Sequence, residues 1–473
     1  MRDLEFYTIN FMPYPYIPPG EEVESSWVVL SNRHYDPQLG HQRYEHYLEM
    51  NVAAERLGFD GVLTNEHHQT AYGGMPNPNL AAAWTAAQTQ RIRIGVMGNI
   101  LTAHANPLRV AEDVAMLDVM SGGRIISGFV LGTGMEYHSY GLNPATARER
   151  FWEAHDLIMK AWTEPGPFEW AGKHYHVPYV NPWPRPLQQP HPPVWLPGTG
   201  SLETIEQAAK RRYTFMQVFS PRSAIAQAAR RYREAAERFG YQAEPRQIAA
   251  AIQIYVAETD QQARREAEPH LMWFFRNGLK TPIYHLTPPG YMSVRSLENI
   301  LRSGSHGAVN MWEMTWDQLV AEKWVVVGSP QTVIESLEEL TDELGAGRVI
   351  FCGEWGAMPR WMALKNMEMM AEEVIPHFRA ADGKPVWARE ERPAPLTATE
   401  FAARRASPAP ALVRMDGVGL VESTTAHVPE LLKPAGADGD GSAPGGRGDR
   451  DLGAVGGRRA GHCRCIGRAA PWE

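Results

Sequence analysis

Eight times along this chain, a short run rich in β-forming apolar residues is followed by a longer stretch with helical spacing. The runs are LEFYTINF, GVLTNEH, IRIGVMGN, RIISGFVLG, PVWLPG, YTFMQVF, AAIQIYVA and RVIFCGEW. Consecutive strands separated by helices must run parallel, because the helix supplies the crossover. Eight such units predict an α/β protein whose sheet closes into a (β/α)8 TIM barrel. An open, doubly wound sheet is the alternative, but no GxGxxG follows the first strand. Helix punctuation agrees with the reading. The helix over residues 107–120 starts with Pro107 in its first turn and ends in Ser-Gly-Gly, as the chemistry of helix ends requires.

Two interruptions break the rhythm. Residues 163–193, after the fourth strand, are rich in Pro, Trp and His, and residues 261–324, around the seventh strand, are rich in aromatic side chains. Past residue 380 apolar periodicity stops and Pro, Ala, Gly and Arg dominate. Such a composition cannot bury enough apolar surface to offset chain entropy. The expected organisation is a barrel over residues 1–380 and a disordered tail over 381–473.

The formal net charge of −8 gives no general attraction to nucleic acid or to an anionic membrane. No apolar run reaches the roughly 18 residues of a membrane span. The first residues, MRDLEFYTINF, lack the tripartite pattern of a secretory leader. Three cysteines form no disulfide framework, so a reducing cytoplasm is the expected location. His462, Cys463 and Cys465 lie close together but lack a fourth ligand and a supporting fold, so no metal is expected.

Chemistry in a barrel of this kind sits at the carboxyl ends of the strands. There the sequence places Asn10, then Asn65-Glu66-His67-His68, Gly98-Asn99, Gly132-Thr133-Gly134-Met135-Glu136-Tyr137, Gly198-Thr199-Gly200-Ser201, and Glu354-Trp355. Small and polar residues thus gather at one end. PGTGSLETIEQAAK opens a helix directly after the fifth strand. Its glycines let backbone approach a ligand, its free amides favour an anion, and Ser201 and Thr204 add hydroxyls. Ser201 as a plain N-cap is the simpler reading of the same residues. His67 and His68, adjacent on a strand, should point to opposite sides, and either a structural or a functional histidine fits. Phe11, Tyr14, Trp27, Trp183 and Trp312 are candidates to line an apolar pocket, although aromatic residues are more often core.

AAERLGFDGVLTNEHHQTAYGGMPNPNLAAAW resembles the second βα unit of the bacterial luciferase family. IGVMGNILTAHANPLRVAEDVAMLDVMSGGRIISGF is similar to its third and fourth units, and EYHSYGLNPATARERFWEAHDLIMKAW and PVWLPGTGSLETIEQAAK extend the likeness over residues 4–378. The resemblance implies a monooxygenase that uses reduced FMN, supplied by a separate flavin reductase. Molecular oxygen would form a flavin hydroperoxide, shielded from water, that oxidises a small and largely apolar organic substrate. On this resemblance His67 matches the catalytic histidine, suited by its chemistry to proton transfer. Asn99 falls where the third strand meets the isoalloxazine ring, and Tyr137 where an aromatic residue lies near the flavin. Arg148 matches a phosphate-binding arginine, and Ser201 and Thr204, with Gly200 beside them, match the phosphate loop. Members often dimerise through the helices beside strands two and three, so the resemblance extends to a homodimer. One position departs from the pattern: Leu131 stands where many members carry a phosphate-binding arginine. A deazaflavin-dependent oxidoreductase on the same barrel and a non-catalytic luciferase-like subunit are the alternative readings.

Overall fold

The computed structural model describes residues 3–19, 22–291, 311–390 and 397–406. Eight parallel strands close on themselves in the order β1 (Glu5–Ile9), β2 (Gly61–Thr64), β3 (Arg93–Ile100), β4 (Ile125–Val130), β7 (Val194–Gly198), β8 (Thr214–Gln217), β9 (Ile248–Val256) and β11 (Arg348–Cys352), with β11 returning to pair with β1. Each coincides with one of the eight β-rich runs, and the fold is the expected TIM barrel. Strands of a barrel that is covered by helices are buried on both faces, which is why they read as apolar runs rather than as alternation. β1 and β2 are buried at every position.

Helices α1 (Pro37–Arg56), α2 (Pro78–Gln88), α3 (Leu108–Ser121), α5 (Pro144–Thr163), α6 (Leu202–Lys210) and α7 (Arg222–Arg238) surround the strands, with the short α4 (Gly134–Tyr140) at the end of β4. Their starts follow local chemistry. Asp36, Asn77 and Asn143 each accept a backbone N–H of the first turn and are followed by proline at the next position.

Both interruptions contain structure that the sequence reading leaves as loop. The first carries an antiparallel hairpin of β5 (Phe168–Ala171) and β6 (His176–Val180). The second opens on the helix α8 (Asp260–Trp273) and is followed directly by β10 (Val325–Gly328), which pairs with β9 beyond the point where β8 stops. All three strands are only four or five residues long, too short to show a clear period.

The amino-terminal ends of the strands form a closed floor. Arg348 Nε lies 2.8 Å from Glu5 Oε2, and its Nη1 lies 2.8 Å from Thr214 Oγ1. The guanidinium covers the Trp195 ring at 4.8 Å, and the Tyr7 ring meets Trp195 edge-on at 5.0 Å. Burial alone would raise the Glu5 carboxyl. Arg348, the Tyr7 hydroxyl and Arg246 outweigh that and hold it below the ordinary carboxylate range. Beside this plug, the buried Asp60 accepts from Phe6 N, Arg379 Nη1 and Val386 N at 2.6, 2.8 and 2.7 Å. Trp387 Nε1 donates to Phe59 O at 2.7 Å, and Arg93 pairs with Glu390. Residues 386–390 therefore pack on the floor although their composition reads as tail. His462, Cys463 and Cys465 lie outside the described residues.

Candidate active site

At the opposite end, the chain leaves β2 through Asn65, Glu66, His67 and His68, so the two histidines lie past the strand rather than on it, and they take different partners. His67 Nδ1 lies 3.1 Å from Glu136 Oε1, and its ring packs on Tyr72 with centroids 4.8 Å apart. His68 Nε2 lies 2.7 Å from Glu66 Oε1, and its Nδ1 lies 3.1 Å from the Tyr140 hydroxyl. Glu66 Oε2 also accepts the backbone N–H of Ile100 at 2.8 Å, tying the end of β2 to β3.

Glu136 is fully buried. Its Oε2 takes the backbone N–H and the hydroxyl of Thr133 at 2.7 and 2.9 Å, closing a capping box at the start of α4. The sequence reading places this residue at the carboxyl end of strand four but gives it no role. The signal was present, because Thr-Gly-Met-Glu has the S/T-x-x-E spacing of such a box.

A group of buried polar side-chain atoms has no partner here. They are Asn10 Oδ1, Thr64 Oγ1, both amide atoms of Asn65, and Gln217 Oε1, all at the carboxyl ends of β1, β2 and β8. Buried polar groups are nearly always bonded. Unpaired amides and hydroxyls at a barrel mouth are what a polar-edged ring would satisfy, so these residues fit a flavin. Gly200, with φ +99°, leaves open the space beside the Gln217 amide. A Cβ there would come within 3.3 Å of that amide.

The resemblance-derived residues divide. Ser201 is the N-cap residue of α6, and its hydroxyl makes no capping bond. Arg148, near the start of α5, reaches across to α6 and pairs with Glu203 at 3.2 Å. Arg148, Gly200, Ser201 and Thr204 are thereby brought to one place, but the arginine has a carboxylate partner of its own. Tyr137 is buried at the end of β4. Its hydroxyl donates to Leu131 O at 3.1 Å, and its ring meets Tyr291 edge-on at 5.2 Å. Asn99, near the end of β3, is buried. Its buried amide is engaged by Asn79 of α2 at 3.0 Å, behind a bulge of β3 between Val96 and Asn99, where the ladder shifts register.

His285 and Tyr291, within the second interruption, lie against this end. Tyr291 donates to Gly132 O at 2.8 Å, and Gly134 has no room for a Cβ, which would fall 1.7 Å from His285 O. Burial raises the Tyr291 hydroxyl to about 12, with Arg148 acting in the opposite direction. Beside His67 an aromatic cluster forms from Phe11, Trp27, Tyr72, Phe219 and Phe274. Phe11 meets Phe219 at 5.2 Å and Tyr72 at 5.6 Å, and Trp27 meets Tyr72 at 5.8 Å. Of the aromatic residues proposed from sequence, Phe11 and Trp27 belong to this cluster. Tyr14 packs instead between Tyr16 and Tyr35, and Trp183 is 84% exposed on the strand-four interruption.

The sequence profile of the luciferase-like monooxygenases matches residues 23–347. The chain belongs to the luciferase-like monooxygenase family. This luciferase-like chain is 32% identical over 174 residues to the oxygenase component of a flavin-dependent trigonelline monooxygenase from Acinetobacter baylyi, covering 36% of this chain and 48% of that one. It spans about half the length of the first curated relatives it matches. Two solved structures share the fold. The oxygenating constituent of 3,6-diketocamphane monooxygenase from Pseudomonas putida, in complex with FMN, superposes with TM-score 0.59 at 21% identity over 80% of this chain and 99% of that one. A coenzyme F420-dependent tetrahydromethanopterin reductase from Methanopyrus kandleri superposes with TM-score 0.53 at 19% identity over 80% and 99%. No described helix is long and apolar enough to cross a membrane.

Proposed function

We propose that this luciferase-like protein is the oxygenase component of an FMN-dependent monooxygenase. It takes reduced FMN from a separate flavin reductase and uses molecular oxygen to oxidise a small, largely apolar organic substrate. The observation that carries the reading is the set of unpaired buried polar atoms on Asn10, Thr64, Asn65 and Gln217, placed in a barrel mouth that also holds His67. Bound reduced FMN would supply the electrons that activate oxygen. Asn65, Thr64 and Gln217 would satisfy its polar edges, and Ser201, Thr204, Gly200 and Arg148 its phosphate. Tyr137 and Tyr291 would cover it from water. Asn99 would act through the backbone of the β3 bulge rather than through its amide. His67 presents an imidazole to the mouth, where it would accept or return a proton near the reacting oxygen. The Phe11, Tyr72, Phe219 and Phe274 cluster would meet the apolar substrate.

A hydride-transferring deazaflavin enzyme is the second reading, supported by the F420-dependent reductase that shares the fold. Exposed Leu80 and Trp84 on α2 and Met116, Val119 and Met120 on α3 support a homodimer through these helices. The three cysteines and the acidic balance suit a cytoplasmic location. The test is oxygen uptake with reduced FMN over a panel of aldehydes, cyclic ketones and terpenoids, with product mass measured under labelled oxygen. One labelled atom per product is expected. In the His67→Ala variant product should fall while released peroxide rises. Turnover without label, or a variant that stays fully coupled, rejects the proposal.

A further inference from the structure

Glu136 is not accounted for by cofactor binding or by packing. It is a carboxylate with 0% side-chain exposure, and its two oxygens have different partners. Oε2 is fixed by the N–H and hydroxyl of Thr133, while Oε1 faces His67 Nδ1. An ionised carboxylate can only accept hydrogen bonds. The Thr133 amide can only donate, so Oε2 is the acceptor there. The remaining oxygen then requires His67 to place its proton on Nδ1. Among the described residues His67 Nε2 has no hydrogen-bond partner, and the side chain is 16% exposed.

We propose that Glu136 is a positioning residue that holds His67 in the Nδ1-protonated tautomer, leaving the Nε2 lone pair directed to the barrel mouth as a proton acceptor. The inference rests on the proposed role of His67 for its catalytic meaning, but not for its structural content. Which nitrogen of a histidine carries the proton is set by the bond the other nitrogen makes. A histidine held in the wrong tautomer can lose most of its catalytic effect while keeping its position.

The isosteric change Glu136→Gln makes a sharp test. The Thr133 amide still needs an acceptor, so the new carboxamide must turn its oxygen toward Thr133. Its NH2 group then faces His67 Nδ1, and that nitrogen must accept. The proton moves to Nε2, so the substitution should invert the tautomer without emptying the site.

The experiment is nitrogen NMR of the full chain with labelled histidine, at an alkaline pH where imidazoles are neutral. The His67 signals are assigned by their loss in His67→Gln. The wild type is expected to show the Nδ1-protonated form and Glu136→Gln the Nε2-protonated form. Product formed per oxygen consumed should fall on the order of 10²-fold in the variant, the scale of general acid–base catalysis. A purely structural role would not move the tautomer. A wild-type spectrum showing Nε2 protonated overturns the inference, and that spectrum decides even if Glu136→Gln fails to fold. A folded variant that keeps the wild-type tautomer overturns it as well. If His67→Ala stays coupled, the catalytic reading of His67 fails instead, and the wild-type spectrum still decides whether Glu136 sets the ring.

Discussion

The floor and the mouth of this barrel are made by the same eight strands, yet only the mouth carries buried amides and a hydroxyl left unpaired beside its bonded carboxylates. At the floor the charged groups are matched. Glu5 meets Arg348, Arg246 and the Tyr7 hydroxyl, and Asp60 meets Arg379 and two backbone amides. At the mouth, Asn10, Thr64, Asn65 and Gln217 keep buried atoms without partners. A protein interior disfavours an unpaired amide by about 1–3 kcal/mol, so the mouth sacrifices stability that the floor retains. The difference marks the mouth as the end shaped for a ligand.

The largest effect should come from breaking the floor. Arg348→Ala leaves Glu5 buried beside one cation, the half-exposed Arg246, and should cost about 3–5 kcal/mol in denaturant unfolding. Its pH dependence has a definite sign. In the wild type the Glu5 carboxyl is held below its ordinary value. Its contribution is therefore present above the unfolded carboxylate range and lost as the pH falls through the lowered value. In Arg348→Ala burial is less opposed, the carboxyl moves up, and the deficit should shrink below about pH 4. A deficit that grows on acidification would show that Glu5 does not carry the floor.

A smaller loss at the same end should follow removal of residues 386–473. That cut takes away the Val386 bond to Asp60 and the Trp387 bond to Phe59. Thermal unfolding should register about 2 kcal/mol, whereas a cut after residue 406 should leave the melting temperature in place. Equal melting temperatures for the two truncations would place the floor's boundary before residue 386.

Turning to the mouth, Arg148→Ala should weaken FMN by about 2 kcal/mol and riboflavin hardly at all, because only FMN carries the phosphate. Glu203→Gln frees the arginine from its exposed pair and should tighten FMN by under about 1 kcal/mol. Leu131→Arg should tighten FMN and not riboflavin. Equal weakening of both ligands in Arg148→Ala would make the Glu203 pair the residue's whole role.

The smallest effect discriminates the two ends most sharply. Asn65→Leu should stabilise the protein without its cofactor by about 1 kcal/mol while weakening FMN, since it removes unpaired polar atoms that serve only the ligand. Destabilisation would show that the Asn65 amide has a partner in the native state.

This contrast also explains what the sequence could reveal. All eight barrel strands are legible because a strand buried on both faces is an apolar run, and the residues after each strand reveal which end is polar. His67, Tyr137, Gly200, Ser201 and Arg148 enter as candidates through the resemblance to the luciferase family, and only the glycine-rich helix start that holds Gly200 and Ser201 is also a local signal. Glu136 is legible only as a helix cap, since its bond to His67 joins residues 69 positions apart. The Asn99–Asn79 bond joins a strand to a helix, and the Arg148–Glu203 pair joins two helices. Neither leaves a periodic trace. Trp387 misleads because Pro, Ala and Arg surround it and conceal one anchoring indole.

The central claim is that the mouth is a site for reduced FMN. Anaerobic titration of the full chain with reduced FMN, reduced riboflavin and reduced deazaflavin F420, followed by fluorescence, tests it before any substrate is known. Saturable binding in which FMN is the tightest of the three, with Asn65→Leu and Arg148→Ala each weaker, is the predicted result. Tighter binding of F420 than of FMN, or FMN binding untouched by both substitutions, would contradict it.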